Sequence, residues 1–238
     1  MAQERLDKLL AGTGRWSRSE AKALIRAGRV CVDGRPSVSG EQKLGENAVI
    51  SVDGAVLRIR KQHWIMLHKP AGVLSATEDR REQTVLDLLP RELQRQKLFP
   101  VGRLDKDTTG LLLLTDDGET AHRITAPKNH VPKRYLARVD GVLDADDVAA
   151  FSEGLVLADG TKCLSAVLEL CGPELGRVTV YEGKYHQVKR MFAARGKPVL
   201  ALHRESIGAL ELDPGLAPGE FRELRPEELT LLTRTEEI

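Results

Sequence analysis

"GRLDKDTTGLLLLTDDG", Gly102 to Gly118, decides the reading of the fold. Its centre, Leu111 to Leu114, is a short continuous apolar run between Gly/Thr and Thr-Asp-Asp-Gly, the pattern of a strand with both faces covered. Asp105 stands just ahead of that run. A soluble chain keeps a carboxylate away from the entrance to a buried segment unless the charge is paired or has chemistry to do. An Asp in a Gly-rich turn also reads as a simple cap of the next element. The neighbours favour a site. Arg103 shares a face with Asp105 if the segment is extended, Thr108 and Thr109 add hydroxyls, and the leucine run anchors the loop to the core.

Outward from this stretch, the chain from "WIMLHKP" (64–70) onward alternates short apolar strands with Gly/Pro turns and a few helices. That predicts an α+β domain on a mixed sheet. In "KRYLARVDG" (133–141) alternation puts Tyr135, Ala137 and Val139 on one face and Arg134 and Arg138 on the other. Tyr135 then offers a flat ring for stacking on a base, although Tyr is also an ordinary strand residue. "LDADDVAAFSEG" (143–154) reads as a capped helix ending at Gly154, and "RVTVYEG" (177–183) as a strand. "HQVKRMFAARG" (186–196) reads as a helix with Val188, Met191 and Phe192 inward. At about 100° per residue, Lys189 borders that stripe and Arg190 faces away, so Lys189 is the candidate cation at a pocket edge and Arg190 a candidate phosphate contact.

The N-terminal stretch has a different character. Leu6, Leu9 and Leu10 have helical spacing, "AGTGRW" (11–16) is a turn, and Ser17 with Glu20 forms a capping box ahead of a second helix. Its inner face is Ala21, Leu24 and Ile25, its stop is Gly28, and Arg18, Lys22 and Arg26 form an outward basic stripe. "RVCVDG" (29–34) is a strand entering an Asp-Gly turn. Two short helices on a small sheet with a basic face form a nucleic-acid-binding design.

Composition sets the limits. The chain has 238 residues, 30% charged and 41% hydrophobic, which suits a globular protein with a real core. No stretch approaches the roughly 18 apolar residues of a membrane span, and "MAQERLDKLL" lacks the apolar core of a secretory signal. Cys31, Cys163 and Cys171 form no C-x-x-C, which argues against a disulfide framework or a structural zinc site and fits a reducing cytoplasm. A net charge of +1 conceals segregation: residues 1–35 carry +4, residues 180–204 carry +5 and residues 205–238 carry −6. Two basic patches are what a polyanion would find; by charge alone, solvated helix faces explain them equally well.

The stretch "RLDKLLAGTGRWSRSEAKALIRAGRVCVDGRP" (5–36) resembles the S4 RNA-binding module, which implies structured RNA as partner and adds Arg5 and Lys8 to the expected RNA contacts. "VGRLDKDTTGLLLLTDDG" (101–118) resembles the pseudouridine synthase signature G-R-L-D-x-x-T-x-G-L-x-L-x-T-x-D-G, with Asp105 on the family's essential aspartate. The resemblance puts Tyr135 on the base-stacking tyrosine and Lys189 on the Arg/Lys position that pairs with the aspartate. The sequences around Tyr185 and after Leu202 are most similar to the branch that modifies small-subunit ribosomal RNA. Implied are an S4-type domain at 1–60, a catalytic domain with a mixed, largely antiparallel sheet and flanking helices at 61–238, and ribosomal RNA or a pre-ribosomal particle as substrate. A monomer with no membrane association is expected.

The chemistry suits this inventory. Converting uridine to its C-glycoside breaks N1–C1′, turns the uracil and rejoins it through C5, with no net redox change, so no cofactor or metal is expected. A carboxylate is required to attack the ribose or C6 of the base, or to assist loss of the base, and the residues leave these three routes open. The nucleotide must flip out of its helix; Arg103 is the candidate to fill the vacated space and Tyr135 to hold the flipped ring. Alternatives are a synthase acting on large-subunit RNA, a noncatalytic RNA-binding assembly factor with no need of Asp105, Tyr135 and Lys189 together, and a glycosidase, for which no second carboxylate matched to Asp105 stands out beyond the nearby Asp107.

Overall fold

The computed structural model describes residues 3–45, 47–57 and 62–233. The chain divides into two compact units, Met1–Gln62 with Leu89–Leu98, and His63–Leu88 with Phe99–Ile238. The boundary expected between residues 60 and 61 lies outside the described residues.

In the first unit, β1 (Glu4–Arg5) leads into α1 (Leu6–Ala11), and α2 (Arg18–Arg26) follows. Five short strands complete it: β2 (Val30–Val32), β3 (Arg35–Pro36), β4 (Lys43–Leu44), β5 (Ile50–Val52) and β6 (Ala55–Val56). The expected capping box is present, with the Ser17 hydroxyl accepting from Glu20 N and the Glu20 carboxylate accepting from Ser17 N. The sheet runs β3-β2-β5-β6. Asp33-Gly34 and Asp53-Gly54 make its tight turns, all four residues having positive φ as a type I′ turn demands. Leu6, Leu10, Ala21, Ile25, Val30 and Ile50 form the core of this unit.

The short helix α3 (Arg91–Gln94) belongs to the same unit. Gln96 Nε2 donates to Gly12 O at 2.8 Å, so this later segment of the chain closes on the turn between α1 and α2.

The second unit is built on nine strands: β7 (Trp64–Lys69), β8 (Phe99–Pro100), β9 (Thr109–Thr115), β10 (Lys133–Val139), β11 (Val167–Gly172), β12 (Leu175–Val180), β13 (Val199–Ile207), β14 (Leu210–Glu211) and β15 (Phe221–Glu223). Helices α4 (Gly118–Thr125), α5 (Ala145–Glu153), α6 (Gln187–Ala194) and α7 (Pro226–Leu229) flank them. The sheet order is β11-β12-β10-β13-β9-β7-β15, with β14 on β13 and β8 on β9. Every pair is antiparallel except β9 with β13. This is the α+β architecture on a mixed sheet that the alternation of elements implied, largely antiparallel as the family resemblance implied.

Leu111 to Leu114 are all fully buried at the centre of β9, which explains why the run does not alternate. One end of that strand requires glycine. Gly110 pairs with Arg204 at φ +107°, and a Cβ there would lie 2.3 Å from Arg204 O. No helix of the described residues is long and apolar enough to cross a membrane.

Candidate active site

The segment between β8 and β9 carries Asp105, and three features fix it. Ser75 Oγ donates to Leu104 O at 2.8 Å and accepts from Leu104 N at 3.1 Å. Thr108 N closes a turn onto Asp105 O at 3.1 Å. Lys69, fully buried at the end of β7, gives its ammonium to Pro70 O at 2.9 Å, Lys106 O at 3.2 Å and Thr108 O at 2.9 Å. All three of its donors go to backbone on this loop or its neighbour, and burial pushes its pKa down to about 8. Asp105 therefore projects from a clamped turn, as a positioned reactive group requires.

The opposing wall comes from α6 and the segment before it. Glu182 is buried and accepts from Leu164 N at 2.8 Å and Gln187 Nε2 at 2.9 Å, besides pairing with Lys184. Burial alone would raise its pKa; the Lys184 and Leu164 hydrogen bonds hold it below the usual carboxylate range. His186, the residue before α6, sits in the left-handed region at φ +48°, an uncommon conformation for a non-glycine residue. Its Nε2 lies 3.4 Å from Asp105 Oδ1, and the exposed Tyr185 ring stacks on it at 3.8 Å between centroids.

One turn into the helix, Lys189 Nζ reaches Asp105 Oδ2 at 2.9 Å and Asp107 Oδ1 at 2.5 Å. Burial works against its charge, but the two carboxylates outweigh that and raise its pKa. The hydrogen bond from Lys189 correspondingly lowers that of Asp107.

Asp105, Glu182, His186 and Lys189 line a cavity of about 570 Å³ together with Arg103, Tyr135 and Arg204. A volume of that order accepts a nucleoside-sized ligand. Of the residues singled out from sequence, the structure brings Arg103, Asp105, Tyr135 and Lys189 to this one cavity. Tyr135 is only 8% exposed, so its ring forms part of the wall. Its hydroxyl lies 3.4 Å from Arg204 Nη1. Thr108 also lines the cavity, its buried hydroxyl without a partner among the described residues, whereas the Thr109 hydroxyl turns to His203 Nδ1 at 2.8 Å. Arg190 lies outside the cavity lining and is held by Asp159 at 2.5 Å.

In the first unit, Arg18, Lys22 and Arg26 are exposed along α2 as their spacing implied. Asp7, fully buried, organises their base. It accepts a bidentate pair from Arg5 at 3.1 and 3.0 Å, with Arg18 Nε at 3.6 Å and Lys22 Nζ at 3.9 Å. The Arg5 hydrogen bond is the main reason that the Asp7 carboxyl is held below its usual range. Arg5 is thus committed to Asp7 and to Glu41 at 3.0 Å, and Lys8 pairs with Glu4 one turn away. The α2 stripe is held more loosely, Arg18 and Lys22 meeting Asp7 only at 3.6 and 3.9 Å.

Sequence reasoning passed over Lys69, Ser75, Lys133, Arg204 and Asp7. A signal existed for two of them. Alternation along "LALHRES" (200–206) puts Arg204 on the inward face with Leu202, and Lys133 shares the inward face of Tyr135. Lys69 and Ser75 gave no such signal, because the loop carbonyls and amide that they bind lie 29 to 39 residues away.

Comparison with known proteins agrees with this geometry. The family model described as RNA pseudouridylate synthase matches residues 63–194, and that of the S4 domain matches residues 4–50. The chain is 46% identical over 233 residues to an uncharacterized RNA pseudouridine synthase of Bacillus subtilis, covering 96% of this chain and 98% of the relative. It is 45% identical over 231 residues to the ribosomal small subunit pseudouridine synthase A of Escherichia coli, covering 94% and 98%. A crystal structure of a pseudouridylate synthase superposes with a TM-score of 0.69 at 39% identity, covering 96% of this chain and 99% of the other. With a clamped aspartate, a cation on its carboxylate and a tyrosine in the same wall, this chain belongs to the RNA pseudouridylate synthase family and carries an S4 domain ahead of the catalytic fold.

Proposed function

We propose that this protein isomerises one uridine of small-subunit ribosomal RNA to pseudouridine, with Asp105 as the reacting carboxylate. The observation that carries the reading is the ion pair of Asp105 with Lys189, 2.9 Å long, inside the cavity walled by Tyr135. A flipped uridine stacks on Tyr135, Arg103 at the exposed rim takes the place that the nucleotide leaves, and Lys189 orients the carboxylate toward the nucleoside. The isomerisation involves no net redox change, so it calls for no electron donor or acceptor. The choice of small-subunit RNA rests on the relatives of that name, 43–45% identical over nearly the whole of both chains.

The S4 unit supplies affinity through Arg18, Lys22 and Arg26 against RNA phosphates. The protein works in the cytoplasm as a monomer, on naked RNA or an assembly particle, with no membrane involved.

Mapping pseudouridine in ribosomal RNA from cells lacking this protein tests the reading. One small-subunit site should be unmodified, and it should be restored by the wild-type chain and not by Asp105→Asn. Full modification in its absence would refute the activity. A missing site in large-subunit RNA would refute the substrate.

A further inference from the structure

The floor of the same cavity holds two cations that the scheme above leaves unused. Arg204 on β13 is 2% exposed and lies directly opposite Tyr135 on β10. Its Nε donates to Leu111 O at 2.7 Å and its Nη1 lies 3.4 Å from the Tyr135 hydroxyl. Its Nη2 is buried with no partner among the described residues. Lys133, two residues before Tyr135 on the same strand face, also lines the cavity and spends one donor on Val131 O at 2.9 Å. Burial and the nearby charge of Arg204 push its pKa down to about 8.

Neither cation has a carboxylate partner among the described residues. The acids nearest in sequence and register serve the opposite face of the sheet: Glu205 pairs with Arg177 at 2.8 Å and with Arg134 at 3.4 Å, and Glu211 with Arg134 at 2.5 Å. A buried charge without a counter-charge is costly. The buried Arg204, with its orphaned N–H, and the half-buried Lys133 on the same wall form a site prepared for negative charge that arrives with the substrate.

Building on the assignment of this cavity to uridine isomerisation, we propose that Arg204 and Lys133 are catalytic residues that bind the carbonyl oxygens of the flipped uracil and stabilise the negative charge developing on it. The electron count requires such charge on each route open to Asp105. If N1–C1′ breaks, the bonding pair stays on the base and spreads from N1 over O2 and O4. If the carboxylate instead adds to C6, the C5–C6 π pair moves toward C5 and O4. In both cases the charge is discharged only when C5 joins C1′, any bond of the carboxylate to C1′ or C6 breaks and returns its electron pair to Asp105, N1 takes a proton and the C5 proton goes to solvent. The base is the part of a flipped nucleotide that enters deepest, whereas backbone phosphates stay near the cavity mouth. A cation that is almost wholly buried therefore meets base oxygens.

Two measurements test this. The first is the single-turnover rate of pseudouridine formation at saturating ribosomal RNA. Lys133→Met should slow it about 10- to 100-fold, the range for losing a hydrogen bond to a charged group, with RNA affinity and melting temperature retained; Lys133→Arg should recover most of the rate. Lys133→Met at the wild-type rate would overturn the proposal.

The second measurement is equilibrium binding of free 5-nitrouracil, an anion at neutral pH, against neutral uracil. The wild-type protein should favour the anion by about tenfold, and Lys133→Met and Arg204→Met should lose that preference. An equal preference in the variants would overturn the proposal, and this assay reads the site even where Arg204→Met slows catalysis by disturbing Tyr135. Wild-type protein and Asp105→Asn run alongside separate the two levels. A wild-type chain that makes no pseudouridine fails the functional reading, whereas an active wild type with Lys133→Met equally active fails this inference alone.

Discussion

Replacing Lys189 by Met removes the cation from the Asp105 carboxylate while preserving the length and apolar stem of the side chain. Nζ is 2.9 Å from Asp105 and the two side chains are 22% and 26% exposed. Unit charges about 4 Å apart interact by about 4 kcal/mol at the effective dielectric of a protein surface. Partial solvent access on both sides reduces this to about 2 kcal/mol. His186, 3.4 Å from the other carboxylate oxygen, remains. If the pair holds Asp105 in its attacking geometry, the loss is a rate decrease of about 30-fold.

Release of tritium from RNA labelled at uridine C5 measures it under single-turnover conditions, because that hydrogen leaves only when pseudouridine forms. Lys189→Arg should retain most activity. Arg190→Met, which breaks the contacts with Asp159 and with Tyr185 O but none with Asp105, should stay within a few-fold of wild type. Arg190→Met more damaging than Lys189→Met would refute the reasoning, since it would mean that the wrong cation of the helix faces the reaction.

Replacing Arg18, Lys22 and Arg26 together with Gln should weaken RNA binding and lower the slope of log K against log salt by about 2 to 3, while single-turnover rates at saturating RNA stay near normal; an unchanged slope would return the stripe to a solvated helix face. Gly110→Ala should lower the melting temperature by roughly 6–12 °C, from roughly 3 kcal/mol of backbone strain and collision with Arg204, and an unchanged melt would show that β9 and β13 approach less closely. Glu228 is held down to about 2 from 4.5 by its bidentate pair with Arg222. A depressed carboxyl pKa stabilises the fold above the unfolded value, and that contribution is lost as pH falls from about 4.5 through about 2. Urea midpoints for Glu228→Gln should accordingly be reduced at pH 7 and converge on wild type at the acid end of that window.

The parts legible in the sequence were those written in local pattern. Ser17 and Glu20 announced α2, the four leucines announced β9, and the phase of α6 put Lys189 beside the buried stripe that directs it to Asp105. What escaped reading depends on which strands lie side by side. Arg204 reaches the floor of the cavity because β13 lies between β10 and β9, an adjacency that no local periodicity encodes. Lys69 clamps the Asp105 loop because β7 pairs antiparallel with β9, ending opposite Gly110. Asp7 illustrates a further limit. Its place in a run of charged residues suggests a solvated helix end, yet Arg5, Arg18 and Lys22 converge on it and allow it to be buried.

In the proposed reaction everything turns on the carboxylate of Asp105. Asp105→Asn keeps the shape of the side chain and removes the carboxylate charge, so its single-turnover rate on small-subunit ribosomal RNA is the decisive measurement. Asp105→Asn should form no detectable pseudouridine with RNA affinity nearly unchanged; turnover within tenfold of wild type would rule out Asp105 as the essential group.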